Sequence, residues 1–126
     1  MRLRKDKDEI TLVFGASLKP IRYSNIVIHK LRTYGYKCIA MGLRRGLVSD
    51  VEIMTFDEEV KNIHTITMYI GASRQEDYID QILNYKPKRI IFNPGAENLK
   101  LYQLAEQRGI HVENVCTLVL LSLEAY

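Results

Sequence analysis

Short apolar runs rich in β-branched residues recur along the chain, each cut off by a glycine or an Asn-Pro-Gly turn and most followed by apolar residues at helical spacing. That alternation constrains the fold more than any other feature, because strands separated by helices cannot pair as hairpins. Ile10-Thr-Leu-Val-Phe14 stops at Gly15 and reads as a strand buried on both faces. Ser24 and Asn25 offer caps for a helix that carries Val27, Ile28, Leu31 and Tyr34 inward and ends at Gly35. Tyr36 to Met41, broken at Gly42, gives a second strand, and Ile63 to Ile70, stopped by Gly71, a third. A helix over Arg74 to Tyr85 ends before Pro87. Arg89 to Phe92 is a fourth strand, Glu97 to Arg108 a helix stopped by Gly109, and His111-Val112 a short fifth strand. The apolar segment from Cys116 predicts a terminal helix. Arg44 to Phe56 shows no clear period, and Asp57 to Asn62 reads as a short helix.

Right-handed βαβ crossovers then predict a Rossmann-like α/β domain of three layers, with a parallel five-stranded sheet in the order 3-2-1-4-5. This order places the first and fourth strands side by side at the switch point, where ligands sit outside the carboxyl ends of the strands. The 126 residues fit one domain. A net charge of +3, spread among many acids, gives no basic stripe for nucleic acid or for an anionic membrane. Cys38 and Cys116 lie far apart in apolar runs without metal-ligand spacing, which suits a reduced, cytoplasmic setting. The N-terminal residues alternate basic and acidic groups and lack a signal-peptide core, and no run reaches the ~18 apolar residues of a membrane span.

The switch point directs attention to the loops. After the first strand comes Gly15-Ala16-Ser17-Leu18-Lys19-Pro20-Ile21-Arg22-Tyr23-Ser24-Asn25. Its small residues admit a pyrophosphate close to the backbone, Ser17 supplies a hydroxyl, Lys19 and Arg22 supply charge, and the helix start adds N–H groups. The alternative is a tight turn with solvated Lys19 and Arg22, and the GxGxxG fingerprint is absent. After the second strand, Gly42-Leu43-Arg44-Arg45-Gly46 has two arginines where NAD-binding domains keep an acid for the ribose. Arginine forks suit a phosphate, as on the ribose of NADP or of coenzyme A; a solvated basic turn is the alternative. Asn93-Pro94-Gly95-Ala96-Glu97-Asn98 follows the fourth strand, with Asn93 and Asn98 as donors and Gly95 for close approach. Asn98 and Glu97 can equally cap the next helix. Gly71-Ala72-Ser73-Arg74 borders an adenine or is a plain turn.

Catalytic machinery is not evident. His29, His64 and His111 have no Ser, Cys or Asp partner at a recognisable spacing and read as structural or surface residues. Cys116 reads as a buried apolar thiol, with a reactive thiol as the alternative, and Glu58-Glu59 and Glu76-Asp77 as solvated helix residues.

Gly15-Ala16-Ser17, with Pro20, Arg22-Tyr23-Ser24 and Gly35-Tyr36 behind it, resembles the small bacterial CoA-binding-domain proteins. The stretch Ile90 to Asn98, Gly109-Ile110 and Cys116-Thr117-Leu118-Val119 fit the same pattern, so the resemblance runs from about Ile10 to Leu121. It implies a stand-alone version of the domain found in succinyl-CoA synthetase alpha subunits and ADP-forming acyl-CoA synthetases. Carried over, the resemblance puts Gly15, Ala16, Ser17, Lys19, Arg22 and Tyr23 at the cofactor phosphates and Arg44 and Arg45 beside the adenosine. Many relatives have Asn-Pro after the second strand, where this chain has Met41-Gly42. The phosphorylated histidine of the synthetases belongs to a later domain that has no counterpart in these residues.

Together these features lead to an expectation of non-catalytic binding of coenzyme A or an acyl-CoA. The cofactor set is Gly15, Ala16, Ser17, Lys19, Pro20, Arg22, Tyr23, Ser24, Gly42, Arg44, Arg45, Gly71, Asn93, Pro94, Gly95 and Asn98. Two alternatives stay open. One is an NADP-binding oxidoreductase or redox sensor; the other is an interaction domain with a vestigial cleft, its apolar C-terminal segment serving a homo-oligomer.

Overall fold

The computed structural model describes residues 6–126; the first five residues of the charged N-terminal stretch lie outside them. The strands are β1 (Ile10–Ala16), β2 (Cys38–Gly42), β3 (Gly46–Val48), β4 (Val51–Met54), β5 (Ile63–Met68), β6 (Arg89–Phe92) and β7 (His111–Asn114). The helices are α1 (Tyr23–Thr33), α2 (Ala72–Gln75), α3 (Ile79–Asn84), α4 (Leu99–Gln107) and α5 (Thr117–Ser122), with a 3-10 turn at Glu76–Tyr78 between α2 and α3.

The expected α/β architecture is present, but the sheet departs from the expected five parallel strands. It has seven, in the order β3-β4-β2-β1-β5-β6-β7, and β3 runs antiparallel to β4. The third predicted strand, now β5, pairs with β1 rather than with the second, and the fourth, now β6, lies one place further out. The position beside β2 is taken by β4, from the stretch that showed no period. Counted with β4 as the third strand, the parallel part has the order 3-2-1-4-5-6, and the switch point falls between β1 and β5.

The hairpin went unread because its turn is Ser49-Asp50, with Ser49 at φ 56° and no Asn-Gly or Asp-Gly signal. Its support is tertiary: Arg32 of α1 donates to both carboxylate oxygens of Asp50, from Nε at 2.8 Å and from Nη2 at 2.9 Å. Residues 57–62 form no helix, so that expectation is corrected; the chain there crosses open to β5. Helix α1 also starts earlier than its predicted caps. Arg22 holds the N-cap position, Ser24 is buried in the first turn, and Asn25 spends its side chain on the preceding loop.

Alternation along β1 sends Leu12 and Phe14 to one face of the sheet and Val13 to the other. On the Val13 face, Val27, Ile28 and Leu31 of α1 pack with Leu120 and Leu121 of α5. On the Phe14 face, Ile79, Ile82 and Leu83 of α3 join Leu101 and Ala105 of α4. Phe14 sits 4.9 Å from Phe56 and 5.6 Å from Tyr78, centroid to centroid, forming an aromatic cluster beneath the ends of the strands. Among the described residues no helix is long and apolar enough to cross a membrane.

Tyr126 is buried, its hydroxyl 2.5 Å from Thr11 Oγ1 and its ring 4.5 Å beneath the Arg89 guanidinium. Burial raises its pKa well above the ordinary 10.0. An unfolded chain ionises this phenol near pH 10 while the native state resists, so its contribution is complete below that pH and is lost above it. Alkaline titration followed by circular dichroism should show stability falling above about pH 10, with a shallower fall in Tyr126→Phe.

Candidate functional site

Three loops meet at the carboxyl ends of β2, β1 and β5 and enclose a cleft of about 520 Å³. Backbone proximity builds it. Gly15 has φ +102°, and a Cβ there would stand 2.6 Å from the Ile70 side chain and 3.1 Å from the Ile70 amide nitrogen. At Gly42 a Cβ would lie 2.3 Å from the Ala16 carbonyl oxygen, so the ends of β1 and β2 approach as closely as backbones can. Gly15→Ala combines a strained φ with overpacking, and should lower stability by about 1–3 kcal/mol in urea denaturation.

One wall belongs to the loop between β1 and α1. The Lys19 amide donates to Ser17 Oγ at 3.1 Å, and buried Asn25 donates from Nδ2 to the Ser17 carbonyl at 2.9 Å, fixing the loop. Leu18 lies against Gly46, where any Cβ would collide with it, and this ties the loop to the β3–β4 hairpin. The Arg22 side chain makes no capping bond to α1, and the Asn25 amide already donates to the Arg22 carbonyl at 3.0 Å, so the first-turn N–H groups open to a ligand are those of Tyr23 and Ser24. Ala16, Ser17, Lys19, Arg22 and Ser24 all line the cleft, while Pro20 and Tyr23 from the same segment do not.

The other wall carries Phe56, Ile70 and Arg74, with Gly42, Leu43 and Arg44 at the β2 edge. Arg45 is outside this lining. Its guanidinium binds Glu58 and approaches Glu52 at 4.0 Å. The two arginines that look alike in sequence therefore have different surroundings. Tyr69 also lines the cleft, and its hydroxyl is buried beside Thr67 and Thr117, which bond each other at 2.8 Å. Burial raises the Tyr69 pKa well above its ordinary value.

Four cationic side chains, Lys19, Arg22, Arg44 and Arg74, thus face one cleft whose lining contains no acid. Among the described residues none of the four forms an ion pair. Concentrating like charge without counter-charge is unfavourable unless an anion completes it.

Gly71, Asn93, Pro94, Gly95 and Asn98 are not among the residues lining the cleft. Asn93 is buried and fully engaged: Nδ2 donates to Thr67 Oγ1 at 2.8 Å and to the Met68 carbonyl at 2.9 Å, and Oδ1 accepts from the Thr117 amide at 2.8 Å. Asn98 caps α4 by accepting from the Leu101 amide at 3.1 Å, and it donates to Gln75 Oε1 at 2.9 Å. Sequence reasoning did not select Phe56 or Tyr69. Nor did it find the structural role of Asn25, since nothing local distinguishes an asparagine that fastens a loop from one that caps a helix. No histidine lines the cleft; His64 pairs with Glu9 at 3.2 Å, and His111 lies 3.5 Å from Glu113. Among the described residues no group of His, Cys, Asp or Glu could hold a metal ion.

Comparison with known proteins bears on the fold and the family. A crystal structure of an uncharacterized protein matches with a TM-score of 0.89 at 33% identity, covering 96% of this chain and 100% of that one. A hypothetical protein from Pyrococcus horikoshii OT3 matches with a TM-score of 0.69 at 26% identity, over 87% of this chain and 78% of that one. A protein of Thermus thermophilus, at 16% identity, shares the fold with a TM-score of 0.81 over 94% of this chain and 91% of that one. No curated protein matches. The family model described as "CoA binding domain" matches residues 9–122, and the chain belongs to that family.

Proposed function

We propose that the cleft binds coenzyme A or an acyl-CoA, with the pyrophosphate on the loop between β1 and α1. The observation that carries this is the set of four cations around a cleft without an acid. Coenzyme A brings a pyrophosphate and a ribose phosphate monoester, together close to four negative charges at neutral pH. Lys19, Arg22, the Ser17 hydroxyl and the Tyr23 and Ser24 amides at the start of α1 hold the pyrophosphate, where charge and N–H groups act together. Phe56 and Ile70 offer an apolar surface to the adenine, and Arg44 lies on that side. Gly15 fits the role of a close-approach residue, because the space a Cβ would need is already taken.

In this reading the cleft binds its cofactor without catalysing a reaction. No histidine, cysteine or carboxylate lines the cleft, so it contains no evident proton carrier or nucleophile of those types. A nucleotide-sized anion is the partner.

Thermal unfolding with coenzyme A, 3′-dephospho-coenzyme A, NADP and NAD tests this directly. A ligand that binds only the native state raises its apparent stability. Coenzyme A should give the largest rise and NAD the smallest. A rise with NADP alone would replace the reading with a nicotinamide cofactor, and no rise with any of the four would remove nucleotide binding altogether.

A further inference from the structure

We infer that Arg74, with Arg44, forms a two-sided clamp for a phosphate monoester on the ligand's ribose, and that Arg74 determines selectivity for nucleotides carrying that group. This rests on the proposed binding of a phosphate-bearing nucleotide in the cleft. The two arginines come from different strand ends. Arg44 follows β2, and Arg74 follows β5 within α2, on the other side of β1. Both line the cleft, and neither is in an ion pair among the described residues.

The division of labour follows from the two faces of the sheet. Lys19 and Arg22 precede α1, which packs on the Val13 face. Arg74 belongs to the segment leading into α3, which packs on the Phe14 face together with Phe56 and Ile70. A base resting on Phe56 brings its ribose substituents within reach of Arg44 and Arg74, which line the same cleft. A planar guanidinium on each side suits the three terminal oxygens of a monoester better than it suits a diester.

The backbone beneath Arg74 is also fixed. Its amide donates to the Gly71 carbonyl at 3.1 Å. The next residue, Gln75, is fully buried and donates from Nε2 to the Ile70 carbonyl at 2.8 Å and to the Ala96 carbonyl at 2.7 Å. A cation held on so rigid a base loses less freedom when it meets its ligand. Arg45, by contrast, is occupied by Glu58 and serves as an internal control.

Calorimetric titration of the whole chain with coenzyme A and 3′-dephospho-coenzyme A, and with NADP and NAD, separates the possibilities. Wild-type protein should prefer the monoester-bearing member of the pair it binds by at least about tenfold, the range of one charge-assisted contact. Arg74→Ala should abolish most of that preference while leaving affinity for the member lacking the monoester within about twofold. Arg74→Lys should keep part of the preference. Arg45→Ala should keep all of it. Equal weakening of both members in Arg74→Ala, or an unchanged ratio, would overturn the clamp even with coenzyme A bound. If wild-type protein binds none of the four, the functional reading and the clamp fall together. Unchanged melting temperatures would confirm that Arg74→Ala, an exposed substitution, leaves the fold intact.

Discussion

Replacing Lys19 and Arg22 together by alanine should weaken coenzyme A binding by at least about tenfold while leaving the fold intact. Each lost charge-assisted contact costs about 1.5–3 kcal/mol, and about 1.4 kcal/mol corresponds to a factor of ten. The true loss therefore exceeds tenfold unless water or a neighbouring cation compensates. Both side chains are exposed at the cleft and make no internal ion pair among the described residues, so folding should be indifferent to their removal. Affinity should also fall as salt rises, because the site is open and its charges are screened. Unchanged affinity in the double variant would mean that the pyrophosphate lies elsewhere.

The second large effect concerns stability. Gln75→Leu keeps the approximate volume of a fully buried side chain but removes its amide. It strands the Ile70 and Ala96 carbonyls and the Asn98 side-chain amide, each of which now has Gln75 as a partner. An unsatisfied buried group costs about 1–3 kcal/mol, so the substitution should cost at least about 3 kcal/mol in urea denaturation. Asn98→Ala removes the α4 cap and the same Gln75 contact, so the double variant should lose less than the sum of the singles. A loss below about 1 kcal/mol in Gln75→Leu would show that water replaces the amide. Gln75 couples the loop after β5 to the loop after β6. That coupling is how β6, although one strand away, supports the cleft wall.

Much of this was legible in the residues because short apolar runs and glycine stops are local signals. Arg89–Phe92, α4 and the terminal α5 fall where periodicity places them. What escaped depends on tertiary partners. The β3–β4 hairpin turns on a serine in a left-handed conformation and is held by Arg32 from a distant helix. Missing it displaced β5 in the predicted order and set the Asn93 loop opposite the first loop, whereas the sheet puts the β5 end there. Arg44 and Arg45 are indistinguishable in sequence; only the fold brings Glu58 to one of them. Asn93 and Asn98 have the chemistry of ligand donors, and their hydrogen bonds lie within the protein. Ser17 and Arg22 were legible as cleft residues because a small-residue turn after a first buried strand has few other geometries open to it.

The most direct test is amide-resolved NMR of uniformly labelled protein titrated with coenzyme A. Cofactor phosphates on the loop between β1 and α1 should shift the amides of Gly15, Ala16, Ser17, Tyr23 and Ser24 first and most strongly, with smaller changes at Arg44 and Arg74. Saturable changes confined to another part of the surface, or none at millimolar cofactor, would contradict the assignment of this cleft as a coenzyme A site.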